Sequence, residues 1–196
     1  AALFMSSLSV ASCAAALSSS MRCSASRTGS GAEGLLVEYA LAMREDGRSL
    51  DETEAQIRAT LPDAHLLLIP RTLENLVKNG RAPKLAGQLT QMLNIRLAVS
   101  PEWKSGEIKA IKKGRGAKRI VANTMADCLA FLAEHPGSSV RVLTTGAAEE
   151  QELVNQALAG QDYVDAGTGP IGCTIATHVG VDAIAISYCP RYQPTR

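Results

Sequence analysis

Aromatic side chains are scarce in this chain: one Trp, two Phe and four Tyr among 196 residues. An interior with so few rings must be aliphatic, and a nucleic-acid surface that works by stacking bases would be thin. Acid is missing from the front, where residues 1–31 hold ten Ser, seven Ala and two Arg, and the first carboxylate is Glu33. A Walker loop and a nucleophile elbow are both lacking, and Gly167-Thr168-Gly169 has no further Gly three residues on to make a dinucleotide fingerprint. No self-sufficient enzyme is evident, and no cofactor is expected. The five Cys, at 13, 23, 128, 173 and 189, are odd in number and form no CxxC pair, which predicts a reduced, cytoplasmic chain with mostly buried thiols. Cys173 with His178 is too small a ligand set for zinc, so no metal is expected. The net charge of +1 leaves no whole-molecule field to steer the protein onto nucleic acid or an anionic membrane, although a local patch still can.

What is present is ordinary globular material, 46% hydrophobic and 20% charged, long enough for one large domain or two small ones. Residues 1–17 have the look of the apolar stretch of a signal peptide, and Val10-Ala11-Ser12-Cys13 resembles a lipoprotein processing box. Against secretion, no Lys or Arg precedes the run, and the Ser residues that break it also make it a poor membrane span. A Ser/Ala-rich loop and helix packed inside a domain, or a disordered tail, are the other readings, and the packed loop is the expectation carried forward.

Beyond it, Met21–Ser26 reads as a short strand. Leu36, Tyr39, Ala40 and Met43 make one apolar helix stripe that Gly47 stops. Ser49-Leu50-Asp51-Glu52 has capping-box form and opens a helix to about Ala59, ended by Pro62. His65–Ile69, HLLLI, is a strand buried on both faces. Thr72 is placed to cap a short helix, Leu73–Asn79, followed by another at about Pro83–Leu93 and a strand at Ile95–Ser100. Gly106-Glu107-Ile108-Lys109 reads as a hairpin turn into a basic strand. Val121, Met125, Cys128, Leu129 and Leu132 mark the clearest helix. Val140–Thr144, Glu149–Ala159, Tyr163–Ala166 and Ala183–Ser187 then read as strand, helix, strand and strand. The alternation is α/β.

Three features can carry chemistry. Gly80-Arg81 is either a helix stop with a solvated Arg or an Arg held beside a rigid turn, able to give a forked pair of hydrogen bonds to a carboxylate or phosphate. The run Lys112–Arg119 is a solvated face, a nucleic-acid patch, or the carrier of one inward Arg. His178, in Thr177-His178-Val179-Gly180, is structural or catalytic.

In order along the chain, these features resemble the DegV family of bacterial fatty-acid-binding proteins. Thr72–Arg81 resembles the family's Leu-rich helix ending Gly-Gly-Arg, with Asn79 in place of the first Gly. Leu85–Val99 resembles the helix and strand that follow it. Gly106-Glu107-Ile108 resembles the family's Asp-Gly turn, and Arg115 with Lys118 its basic strand. His178-Val179-Gly180-Val181-Asp182 keeps the His and first Gly of His-x-Gly-Pro-Gly and loses the rest. Ser30–Ala40 resembles the helix after an Asp-Ser turn, with Ala25-Ser26 where Asp-Ser would stand. Ser9 matches the Ser of a Ser-Gly-Thr-Tyr loop whose Gly and Thr are Val10 and Ala11 here.

The resemblance implies two α/β lobes clasping one acyl chain, here an incomplete N-terminal lobe over residues 1–75 and a C-terminal lobe of sheet and helices over 76–196, dividing near residues 70–82. It implies a carrier without catalytic machinery that binds a long-chain fatty acid and presents it to the catalytic subunit of a fatty-acid kinase, with no nucleic acid and no stable membrane insertion. Ser9, Arg81 and His178, with Arg115, are the residues it places at the carboxylate. Roughly sixteen buried methylenes at about 0.8 kcal/mol each give a gross drive on the order of 10 kcal/mol, so few polar contacts are needed. Those few must offset the desolvation of a carboxylate. Two other readings remain: a degenerate or truncated relative that binds a protein partner, or nothing, and a nucleic-acid module built on the basic stretch.

Overall fold

The computed structural model describes residues 28–88, 95–102 and 104–194. The expected Met21–Ser26 strand and Ser9 lie outside them. Six helices and six strands are seen among the described residues: α1 (Ser30–Glu45), α2 (Leu50–Thr60), β1 (His65–Ile69), α3 (Glu74–Lys78), β2 (Ile95–Pro101), β3 (Ile108–Arg115), α4 (Gly116–Glu134), β4 (Ser138–Thr144), α5 (Ala148–Leu158), β5 (Tyr163–Pro170), α6 (Cys173–Val179) and β6 (Ile184–Cys189).

Local chemistry explains most boundaries. At the start of α2 the Ser49 Oγ accepts from the Glu52 N–H at 3.3 Å while the Glu52 carboxylate accepts from the Ser49 N–H at 2.8 Å, so two otherwise orphaned backbone donors are satisfied reciprocally. Gly47, at φ +77°, takes the left-handed conformation that releases the chain from α1. Thr72 does not cap α3; Leu73 occupies that position with no side-chain bond, and the helix is one residue shorter at each end than expected. Pro83–Gln88 forms a 3-10 turn rather than the start of an α-helix. The helix α6 is absent from the sequence expectation altogether.

The strands form one sheet in the order β3-β2-β1-β6-β4-β5, in which only β4 and β5 run parallel. The expected lobe boundary at residues 75 and 76 falls inside α3, and the sheet takes strands from both sides of it. Side chains alternate across β6. Ile184, Ile186 and Tyr188 join Leu67, Ile69, Val140 and Val142 beneath α4 and α5. Ala185 packs on the opposite face with Leu66, Leu68 and Val99 beneath α3 and α6, and Cys189 continues that face beneath α1 and α2. Burying HLLLI on both faces is what its unbroken apolar run requires. The largest fully buried side chains are aliphatic, Met125 and Thr124 aside, as the shortage of rings demands.

Close approach of α1 to the sheet depends on glycine. A Cβ at Gly31 would lie 2.5 Å from the Ser187 Oγ, and one at Gly34 2.5 Å from the Arg141 Nη1. Arg141 runs beneath α1, pairing with Glu38 and donating from Nε (3.1 Å) and Nη2 (2.9 Å) to the Ala166 carbonyl. No helix among the described residues is long and apolar enough to cross a membrane.

Candidate functional site

The strand pairings bring the C-terminal ends of β1, β3, β4 and β5 to one end of the sheet, with the N-terminal ends of β2 and β6. Connections leaving this end supply Arg81, Arg115 and His178. In α/β sheets the end where strands terminate and helices begin is where ligands gather.

Arg81 follows Gly80, whose φ of +67° turns the chain out of α3. The Leu76 carbonyl accepts from both the Arg81 N–H (2.9 Å) and the Ala82 N–H (3.0 Å), which fixes this turn. The Arg81 side chain is exposed. His178 sits in the last turn of α6, between Thr177 and the buried Val179. The two segments are joined: the Asn79 Nδ2 donates to the Thr177 carbonyl at 3.1 Å, and a Cβ at Gly180 would lie 2.7 Å from the Asn75 Nδ2.

Behind α6, Thr144 and Thr145 hold the return to β6. The Thr145 Oγ1 donates to the Gly180 carbonyl at 2.7 Å and accepts from the Ala183 N–H at 2.9 Å. The Thr144 Oγ1 donates to the Ala183 carbonyl at 3.0 Å. His178 therefore stands on a short helix held from outside at Thr177 and at Gly180.

Arg115 ends β3 opposite Ile95, with β2 and β1 between it and β6. It shares the sheet end with the other two residues and is exposed. No hydrogen bond or ion pair joins it to Arg81 or His178 among the described residues.

Two residues escape the sequence reading. The Oγ1 of Thr28 and the Oγ of Ser30 are buried without a hydrogen-bond partner among the described residues, as is the Nδ1 of His178. The segment that carries the two hydroxyls meets the helix that carries the imidazole: the Cβ position of Gly29, between Thr28 and Ser30, is 4.0 Å from the Ile175 Cδ1, and Ile175 and His178 are one helical turn apart in α6. Unpartnered buried polar atoms are costly, and native structures provide partners for nearly all of them. Two hydroxyls and an imidazole nitrogen are the donors a carboxylate accepts. The signal in the sequence was the alternation of Ser, Thr and Gly over residues 28–31, ahead of an apolar helix.

A groove of about 490 Å³ lies elsewhere, between α1, β5 and residues 190–192, lined by Leu35, Glu38, Tyr39, Val164, Asp165 and Tyr192 among others; none of Arg81, Arg115 and His178 lines it. Burial pushes the Cys128 and Cys189 thiols up to about 12, so both are protonated packing groups, whereas Cys173 is exposed at the start of α6. No group of three or more His, Cys, Asp or Glu among the described residues is placed to hold a metal ion.

A family model described as uncharacterised proteins of the DegV family matches residues 5–191. The chain belongs to the DegV family. It is 29% identical over 161 residues to a DegV domain-containing protein of Clostridium acetobutylicum, covering 81% of this chain and 56% of that one. A second, from Lactococcus lactis, is 30% identical over 159 residues, covering 79% and 53%. The chain thus spans little more than half the length of these curated relatives.

Solved DegV structures share the fold. A fatty-acid-binding DegV family protein from Thermus thermophilus superposes with a TM-score of 0.75 at 23% identity, covering 84% of this chain and 59% of that one. The fatty acid kinase B3 protein of Streptococcus pneumoniae, loaded with linoleic acid, gives a TM-score of 0.72 at 24% identity and covers 84% and 58%.

Proposed function

We propose that this chain binds a long-chain fatty acid with its carboxylate at the α3–α6 end of the sheet and presents that carboxylate to the catalytic subunit of a fatty-acid kinase. The observation that carries the reading is a set of buried, unpartnered polar atoms, Thr28 Oγ1, Ser30 Oγ and His178 Nδ1, on two segments that meet where Gly29 nears Ile175 of α6, which Asn79 ties to the Arg81 turn. The solved relatives that bear fatty acids support it.

In this reading the chain performs no covalent step. Hydroxyl and imidazole donors hold one carboxylate oxygen, and Arg81, on its rigid turn, supplies the positive charge that offsets desolvation. Ser9, from the segment outside the described residues, adds a further hydroxyl, and Arg115 faces the same end as an outer cation. If a phosphoryl group is transferred to the carboxylate, the same donors meet two negative charges in place of one, and Arg81 and His178 matter more. The aliphatic layer beneath α3 and α6, which includes Leu66, Leu68, Leu76 and Val179, is the chemistry an acyl chain requires.

Titration with fluorescently labelled oleate tests the assignment. Wild-type protein should bind saturably, and Ser30→Ala, Arg81→Gln and His178→Gln should each weaken binding about tenfold or more, the range for a lost charge-assisted hydrogen bond. Circular dichroism of each variant separates loss of the site from loss of fold. Unchanged binding in all three contradicts the placement.

A further inference from the structure

The guanidinium of Arg96 is buried and only partly satisfied. Its Nη1 pairs with the Glu150 carboxylate, and the two side chains are 11% and 6% exposed. Its Nε and Nη2 are buried without a hydrogen-bond partner among the described residues. These two atoms form the side edge of the guanidinium, a fork of parallel N–H bonds shaped for two oxygens of one oxyanion. The same edge of Arg141 is occupied, because it donates to the Ala166 carbonyl at 3.1 and 2.9 Å. Native proteins provide partners for nearly all such buried donors, so the Arg96 fork calls for an acceptor that the described residues do not supply.

Strand pairing places a second cation beside it. Leu68 stands opposite Val99, and Ile69 opposite Ile184. Continued past the end of β1, these registers set Arg71 between Arg96 on one side and Asp182 on the other. By the two-residue alternation of a strand, all three fall on the face that carries Ile69, Ala98 and Ile184 against α4 and α5. Arg71 is exposed and makes no ion pair among the described residues. Burial lowers the pKa of Arg96 first and the charge of Arg71 lowers it further, while Glu149 and Asp182 pull the other way. Two like charges are thus held together while one pair of N–H donors stays unused.

We propose that Arg96 and Arg71 form a binding site for a phosphate group, carried as inorganic phosphate or as a phosphomonoester, at the end of the sheet where β1 stops and β2 and β6 begin. A carboxylate fills the fork with its two oxygens and has none left for Arg71. A phosphate fills the fork with two and turns a third toward Arg71. Asp182 is the counterweight: half-buried at φ +55°, it sets a carboxylate beside Arg71 that repels an anion and limits its affinity. The site lies across the sheet from α3 and α6, which position Arg81 and His178, and it does not depend on the fatty-acid reading.

Isothermal titration calorimetry with inorganic phosphate at low ionic strength tests this in wild type, Arg71→Gln, Asp182→Asn and Arg96→Met/Glu150→Leu. The double variant removes the fork together with the carboxylate it neutralises, so no buried charge is stranded. Asparagine tolerates the left-handed backbone at position 182. Urea unfolding verifies that each protein is folded. Wild type should bind phosphate saturably and about tenfold more tightly than acetate. Arg71→Gln should weaken phosphate binding at least about fivefold, Asp182→Asn should tighten it about threefold, and the double variant should lose it. An Arg96 that serves only the fold would move none of these affinities. No saturable phosphate binding by wild type, unchanged affinity in any of the three variants, or acetate held as tightly as phosphate overturns the proposal. Phenyl phosphate, titrated in parallel, separates the sources: binding weaker than that of inorganic phosphate marks a site for the free ion, and equal or tighter binding marks a site for a phosphomonoester. Either result upholds the phosphate site.

Discussion

Asn79 and Thr177 stand 98 residues apart in the chain and are joined by one hydrogen bond, from the Asn79 Nδ2 to the Thr177 carbonyl at 3.1 Å. This bond ties the turn bearing Arg81 to the helix bearing His178. It occupies the position where the family's Gly-Gly-Arg pattern has a glycine, which has no side chain to donate. Asn79→Ala should cost about 0.5–1.5 kcal/mol of stability, the net worth of such a bond, and should increase the dissociation rate of labelled oleate. Urea unfolding and stopped-flow displacement measure the two effects.

Gly180 is required for two reasons. Its φ of +79° is strained for other residues, and a Cβ there would meet the Asn75 Nδ2 at 2.7 Å. Gly180→Ala should destabilise the fold by about 1–2 kcal/mol. Because α6 must then shift from α3, oleate affinity should fall as well. Thermal unfolding and the oleate titration, run on the same preparation, give both numbers.

The Arg96–Glu150 ion pair links β2 to the first turn of α5, with side-chain exposures of 11% and 6%. Burial lowers the pKa of Arg96, as removal of a cation from water must. Its Nε and Nη2 already lack partners among the described residues. Glu150→Ala, which strands that charge, should therefore cost about 3–5 kcal/mol, while the double variant Arg96→Met/Glu150→Leu should recover most of it. Denaturant midpoints of the three proteins test this.

His65 lies against the rings of Tyr188 (4.8 Å) and Phe131 (5.3 Å), at the sheet end opposite the candidate site. Burial holds its pKa below the ordinary 6.5, against an opposing pull from Asp63 and Asp127. Above the unfolded value the imidazole is neutral in both states and its contribution is present in full. As pH falls, the unfolded chain takes up the proton first, and the stability is lost down through the folded pKa. Wild-type stability should thus decline between about pH 7 and pH 5, and His65→Phe should flatten that slope in urea titrations at fixed pH.

Much of the scaffold was legible because its signals are local. HLLLI is apolar at every position after His65, Ser49 and Glu52 carry the whole capping box between them, and the stripe from Val121 to Leu132 has helical spacing over three turns. The helix α6 was not legible. Thr174, Ile175, Thr177 and Val179 are β-branched, glycines flank the segment, and its seven residues are too few for a helix to stand without tertiary support. That support comes from Asn79 and from Val179 in the layer under α3, contacts remote in sequence. The pairing of β1 with β6 is equally remote. Of the candidate site, Arg81, Arg115 and His178 came through the resemblance to known patterns, whereas Thr28 and Ser30 emerged only when their hydroxyls were found buried without partners. Ser9 lies outside the described residues, and its role rests on the resemblance alone.

The central claim is that this chain holds a fatty acid, and native mass spectrometry of the protein purified without added lipid measures that most directly. The account predicts a second charge-state series heavier by the mass of one C14–C18 acid, released on denaturation and restored by incubation with oleate. A single series at the mass of the bare chain, unchanged after incubation with excess oleate under conditions where circular dichroism shows the protein folded, would contradict it.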